Sequence, residues 1–569
     1  MKKYFSLSFF IILLGIIFFL GKNLNPFDLR MFSFHDDTQA ARISEFIFNL
    51  KSRMIPPRIA PHLSFGLGFP IFNYYAPFAY WFTSFLNLIG FSIPMALKLS
   101  FLLGIIAAFI GMFLFLKLFF NRIASLLGAA IYSGSTWFAV EIFIRGNLSE
   151  VWFIALFPIA LFFLYQNMQK LSNTLLVLSI IFISFLLTSH NVLSLLSLLI
   201  LSTYICFLPH KKRGFFILIS ALLLSSYFLI PALLESNFTF ATEVAKKTNY
   251  QDHFLCIKQL WKAPTWEFGG STKGCENDGM PFILGKLPIL LSLAGVLVFL
   301  FDYIKKRGKI LPIAIFVLLL TLISVFLTLY ESSFIWSLLA PVLSLFQFPW
   351  RFLVFSMFGI GFFGAYLGNK INKRFSLILI PMIFFLLFTS GKYFSKPWLM
   401  SNNEFQLKFL SENYLYRTVA FNISEYLTKK ADYSYWKNFD GSINPGKDLT
   451  IQVDMKKPVT LLTQSTYSIL SNTPFNKEIK TEPDTQFALN IHYTPMWKIK
   501  INNMEIVPTI FDLLGRPILS LKQSSIVHFY YEQTSIEKIS NLLTIFCFVF
   551  ICILFFSKTI WSKLKPILK

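Results

Sequence analysis

The sequence predicts an α-helical polytopic membrane protein of about twelve transmembrane helices, with one further re-entrant or interfacial helix and a small extracytoplasmic β-sandwich. Three observations carry this. The 569 residues are 55% hydrophobic and only 14% charged, with mean hydropathy +0.62, which excludes a soluble globular chain. Apolar runs near the roughly 20 residues needed to cross a bilayer recur along the chain. One long stretch, 392–538, breaks that pattern and alternates polar with apolar residues. The net charge of +23 does not point to nucleic acid as a partner, because Lys and Arg cluster in short loops between apolar runs. That is the positive-inside distribution of a protein whose main partner is the lipid bilayer.

The expected spans are 4–21, 96–119, 123–141, 150–168, 173–189, 192–209, 214–233, 286–303, 310–330, 351–369, 374–391 and 539–557. Lys2 and Lys3 precede the first, and no small-x-small cleavage site follows it, so 4–21 is read as a retained helix with a cytoplasmic N-terminus. Counted from there, the basic loops 117–122, 169–170, 210–213, 305–309 and 369–374 and the tail 558–569 all fall on the cytoplasmic side. The apolar stretch 74–91 is the exception. A full crossing there would move every later basic loop outside, so it is read as re-entrant or surface-lying.

Three regions follow: a transmembrane domain 1–391 with external loops 22–95 and 234–285, an extracytoplasmic mixed and β-sandwich region 392–538, and the last helix with its basic tail, 539–569. Within the second, 392–440 reads as mixed and helical. The alternating stretches 449–454, 487–493 and 497–501 read as half-buried strands, separated by turn signals such as Asn444-Pro-Gly446 and Leu514-Gly-Arg-Pro517. Cys206, Cys547 and Cys552 lie in apolar runs. Cys256 and Cys275 share one external loop, about 19 residues apart, and are expected to form a disulfide. There is no CxxC, so zinc is not expected.

Charges near a span are expensive, by roughly 2.5–3.5 kcal/mol at a helix centre, so those retained there are functional candidates. They gather on the external side: His35-Asp36-Asp37, Arg145-Gly-Asn-Leu-Ser-Glu150, Ser189-His190-Asn191, Glu235-Ser-Asn237 and Gln347-Phe-Pro-Trp-Arg351. A carboxylate such as Asp36 can accept a proton from a hydroxyl or, with Asp37, bind a divalent cation such as Mg2+ or Mn2+. Glu150, at a helix start, is a candidate second carboxylate, and His190 a candidate assistant. Arg145 and Arg351 suit a phosphate. Structural readings stand beside these: a helix cap for Asp36-Asp37, an ion pair for Arg145 and Glu150, a satisfied polar residue for His190, and a helix start for 347–351. No GxxxxGK[ST], and no GxGxxG with the required flanks, is present, so soluble NTPase and Rossmann chemistry find no support.

At His35-Asp36 with Arg42, at Pro57-Arg58 through Gly66-Leu-Gly-Phe-Pro-Ile-Phe-Asn-Tyr-Tyr-Ala-Pro77, and at the Arg145–Glu150, Ser189-His190 and Phe346–Arg351 motifs, the chain resembles the GT-C class of membrane glycosyltransferases. More narrowly, it resembles the bacterial membrane proteins known as 6-pyruvoyl-tetrahydropterin synthase-related and the neighbouring YfhO-like proteins. Its tail is similar to the YfhO-like ending, with Tyr493-Thr-Pro-Met-Trp497 and then Tyr530-Tyr-Glu-Gln-Thr before the last helix.

The resemblance implies a polyprenyl-phosphate-linked sugar donor, a glycan, lipid or protein acceptor, and a bacterial inner membrane with both termini cytoplasmic. It implies catalytic acids in the first two external loops, matched by Asp36 and Glu150, with amphipathic helices at 37–55 and 74–91. His35, Asp37, Arg42, Arg58, Arg145, Gln347 and Arg351 are then substrate-binding candidates. Where the oligosaccharyltransferase branch has Asp-x-Asp, this chain has Arg145-x-x-x-x-Glu150, which leaves metal dependence open. The alternatives are a lipid-linked glycan flippase, which calls for polar residues through the bilayer depth and an inverted repeat, and a non-catalytic envelope-assembly protein.

Overall fold

Runs of apolar residues can sit in hydrocarbon only if their backbone polar groups are satisfied within the segment, which selects helices. The computed structural model describes residues 7–247, 249–263, 265–269, 279–305, 311–372, 374–396, 399–437 and 456–556. Among the described residues, five helices are long and apolar enough to cross a membrane: Ile93–Leu116, Leu148–Lys170, Lys286–Ile304, Pro349–Lys370 and Ser535–Phe556. Two bent pairs raise this to seven if each is one span: Arg122–Ser133 with Thr136–Arg145 (42°), and Lys211–Leu224 with Ser226–Leu234 (73°). Shorter apolar helices occupy Leu7–Leu20, Asn173–Leu187, Asn191–Cys206, Pro312–Thr328 and Ser376–Gly391. Apolar helices therefore occur at the expected places, and length and composition alone qualify five to seven of them as spans.

The breaks have local causes. Gly134 and Ser135 interrupt the first pair. In the second, Ser225 Oγ bonds the Ala221 carbonyl four residues back, an alternative partner that bends helices. Leu148–Lys170 and Pro349–Lys370 are the most enclosed long helices, and Ser535–Phe556 the least. At the centre, Gly128 faces Gly361 with no room for a Cβ, which lets their helices approach closely.

After the first helix the chain forms a strand, Arg30–Phe32, antiparallel to Leu399–Ser401. The buried Lys98 ammonium donates to the carbonyls of Asp28 and Arg30, clamping this strand to the helix Ile93–Leu116. The amphipathic helix Gln39–Lys51 follows. Phe78–Leu88 has 11 residues, about 16 Å of helix, roughly half of the hydrocarbon thickness.

The C-terminal β region has two antiparallel sheets. One has five strands in the order Tyr467–Thr473, Asn476–Thr481, Ser525–Tyr531, Trp497–Ile501, Met504–Ile506. The other has three, in the order Val459–Leu461, Thr485–Leu489, Ile518–Leu521. Val459, Phe487 and Leu489 of the smaller sheet share a core with Ile479, Ile499 and Val527 of the larger. The expected strand at 449–454 lies outside the described residues. This region is tied to the segment 22–95: Ile59 enters its core, and Ser64 Oγ lies 2.6 Å from His492 Nε2. Cys256 is disulfide-bonded, while Cys206, Cys547 and Cys552 are free. Cys275, its expected partner, lies outside the described residues.

Candidate functional site

The site is built on two stretches of backbone held side by side. The N–H groups of His35 and Asp36 donate to the carbonyls of Ile144 (3.0 Å) and Arg145 (2.7 Å). The chain then turns at Gly146, whose φ is +67° and whose missing Cβ leaves room for the Phe34 ring. Asn147 caps the next helix, its Oδ1 accepting from Glu150 N–H at 3.1 Å, which sets Glu150 in the first helical turn.

Behind the surface lies a buried ion network. Arg145 Nη1 is 2.7 Å from both Glu141 oxygens and 2.9 Å from Glu150 Oε1. Its guanidinium lies 4.5 Å over the Trp350 ring. Arg351 Nε is 3.4 Å from the same Glu150 oxygen, and its Nη1 donates to the Phe346 carbonyl (2.8 Å) and Gln347 Oε1 (3.0 Å). His190 Nε2 is 3.5 Å from Glu150 Oε1, while its Nδ1 accepts from Leu193 N–H and caps the helix Asn191–Cys206. Two carboxylates thus balance two guanidiniums, the condition under which buried charges are tolerated.

Gln347 has φ +60° and ψ −44°, with Phe348 N–H bonded to the Phe346 carbonyl at 2.6 Å. This is a strained γ-turn, of the kind that costs on the order of 1–3 kcal/mol and collects at functional sites. It aims the Phe346 carbonyl at Arg351.

A cavity of about 960 Å³ opens over this network. Its wall brings together His35, Asp36, Asp37, Arg42, Arg145, His190, Gln347 and Arg351, residues scattered over more than 300 positions of sequence. The size suits a drug-sized ligand. No protein-family model and no curated protein matches this chain.

Two expected site residues are placed differently. Arg58 is not on the cavity wall. It is 1% exposed and donates to Asn73 Oδ1 (3.0 Å), the Tyr227 carbonyl (2.9 Å) and Asn541 Oδ1 (2.8 Å), tying the segment 22–95 to two helices. The structure gives this substrate-binding candidate structural partners away from the cavity. Glu150 is also off the wall, fully buried behind it, where it contacts Arg145, Arg351 and His190.

Sequence reasoning missed Glu141, which ends an expected span, although its i,i+4 spacing to Arg145 was the available signal. It also missed Asn422, Glu425 and Tyr426, which the segment 399–437 contributes to the wall. Nothing local marks those three.

Burial pushes the Asp36 carboxyl up, but the hydrogen bond from His35 (3.1 Å) and the charges of Arg145 and Arg42 outweigh it, so the group titrates below its ordinary value. Burial lifts Asp37 and Glu425 above theirs. Burial also lowers His190, in keeping with a neutral ring whose Nδ1 accepts.

Asp36 is engaged by His35, and Asn422 Nδ2 donates to Asp37 Oδ1 at 3.4 Å. Among the described residues, no three His, Cys, Asp or Glu side chains converge to hold a metal. Asp36 and Asp37 are two adjacent carboxylates on the wall, a number that would hold Mg2+ or Mn2+ only with water and phosphate oxygens as the remaining ligands.

Proposed function

We propose that the chain is a GT-C-type membrane glycosyltransferase with twelve spans, set in a bacterial inner membrane with both termini cytoplasmic and the β region outside. It moves a sugar from a polyprenyl-phosphate-linked donor to a hydroxyl of an envelope glycan, lipid or protein. The observation that carries this reading is the cavity wall, where Asp36 faces the same space as Arg145 and Arg351.

In the transfer, the acceptor hydroxyl loses its proton to Asp36 as its oxygen bonds the anomeric carbon. The bond from that carbon to the phosphate oxygen breaks, and the phosphate leaves with the electron pair. Arg145 and Arg351 receive that charge through paired, charge-assisted hydrogen bonds. Glu141 and Glu150 hold the two guanidiniums in place before substrate arrives, so little reorganisation is needed at the moment of transfer. The lowered pKa keeps Asp36 ionised and able to orient the hydroxyl.

The test is transfer from a labelled polyprenyl-phosphate hexose in membranes carrying the protein. Asp36→Asn is expected to abolish transfer while membrane insertion and thermal stability stay near those of the parent. Transfer retained by that variant overturns the assignment.

A further inference from the structure

Arg145 and Arg351 are matched by Glu141 and Glu150, but a third guanidinium on the cavity wall is not matched. Arg42 is 7% exposed. Its Nη1 bonds Tyr80 Oη at 3.3 Å and its guanidinium lies 4.5 Å over the Tyr75 ring, both uncharged partners. Its Nε has no hydrogen-bond partner. Asp36 and Glu425 act on it through space, without a hydrogen bond. The Tyr80 hydroxyl donates to Gln39 Oε1 at 2.8 Å, so its oxygen is left to accept from Arg42 and steady it.

Arg42 also sits in the first turn of the 13-residue helix Gln39–Lys51. The N-cap of that helix, Thr38, is on the cavity wall, and its side chain makes no capping bond. Of the N–H groups at this start, that of Gln39 already donates to the Asp36 carbonyl at 3.2 Å, so what the start adds is chiefly the positive end of the helix dipole. Arg42 has carboxylates near it but none bonded to it, so its unpartnered Nε is the donor left for an arriving anion.

We propose that Arg42 and the start of its helix form a second oxyanion subsite, which takes a negatively charged group of the substrate beyond the phosphate held by Arg145 and Arg351. The substrate pair then carries two anionic groups, one at each guanidinium region of the cavity. This rests on the lipid-phosphate reading above. Two sources share the chemistry: the second phosphate of a diphosphate-linked carrier, and a carboxylate on the sugar or acceptor. The fork of Arg42 fits either one bidentately.

The experiment uses the full-length protein in lipid nanodiscs and measures calorimetric binding of farnesyl phosphate, farnesyl diphosphate and glucuronate. Arg42→Gln is expected to weaken farnesyl diphosphate or glucuronate by at least about tenfold, and to leave farnesyl phosphate within about twofold. A loss confined to the diphosphate assigns the second phosphate, and a loss on glucuronate assigns the carboxylate. Unchanged binding of all three, or an equal loss on farnesyl phosphate, overturns the second subsite. If the parent protein binds no farnesyl phosphate, the lipid-phosphate reading falls instead. Arg42→Lys, which keeps the charge but not the planar fork, takes the place of Arg42→Gln if the latter does not fold.

Discussion

Asp36 and Asp37 are adjacent, yet their surroundings push the two carboxyl groups in opposite directions. The difference follows from partners: Asp36 has His35 and the nearby charges of Arg145 and Arg42, whereas burial dominates at Asp37. A carboxyl whose folded pKa lies below its unfolded value of about 3.9 stabilises the fold above that value, and the contribution is lost as pH falls through the lower folded value. The rate of transfer is therefore expected to show no loss from Asp36 protonation between about pH 8 and pH 5. A pH–rate profile in which the Asp36-dependent rate fell away above about pH 5 would contradict this. The polar candidates near the spans were legible one by one, because a charge there stands out against apolar neighbours. Glu141 was not, because it sits at the end of an apolar run and its partner is one helical turn away.

At the scale of elements, the turn at Gly146 decides whether the two halves of the site meet. Gly146→Ala puts a methyl group into the Phe34 ring and strains a left-handed backbone. It is expected to lower thermal stability by at least about 1–3 kcal/mol and to separate Asp36 from Arg145. Pairing it with Phe34→Ala should restore part of the loss, which thermal unfolding in detergent measures.

The last helix is started by Thr534-Ser-Ile-Glu537. Thr534 N–H donates to Glu537 Oε2 (2.7 Å), and Glu537 N–H donates to Thr534 Oγ1 (3.1 Å). This is a capping box, which satisfies two N–H groups at the helix start reciprocally. The Thr534 hydroxyl also donates to Glu235 Oε1 at 2.5 Å. Burial, helped by the Glu537 charge, pushes Glu235 up to about 7. A raised carboxyl contributes stability that is complete below its unfolded value of about 4.3 and lost as pH rises through about 7. Glu235→Gln is therefore expected to raise the melting temperature at pH 8 and change it little at pH 5.

For the whole molecule, Arg58 is the fastener between the segment 22–95, the helix Ser226–Leu234 and the helix Ser535–Phe556. Its Nε lies 3.8 Å from the fully buried Glu537. Arg58→Ala leaves that carboxylate without its cation and is expected to cost about 3–5 kcal/mol. Arg58→Met with Glu537→Gln should recover much of it, because removing both charges removes the unpaired one. Chemical denaturation of the two variants checks the order. The β region is likewise no independent module, since its core takes in Ile59 and its neighbouring segment supplies Asn422 and Glu425 to the cavity.

The sequence by itself determined a mainly helical chain with several apolar helices, the strand at 497–501, part of the strand Thr485–Leu489 (expected at 487–493), and a set of polar residues set between the apolar runs. Each of these follows from periodicity, composition or the cost of charge near a membrane, which are local properties of the chain. For Arg145 the balance is local, since Glu141 stands four residues before it and Glu150 five after. Tertiary structure alone brought Glu150 to Arg351 and left Arg42 with no bonded carboxylate. It placed Arg58 and Glu150 off the cavity wall and brought Asn422 and Glu425 onto it. Long-range packing chooses those partners, because they join segments far apart in the chain and no local spacing encodes them.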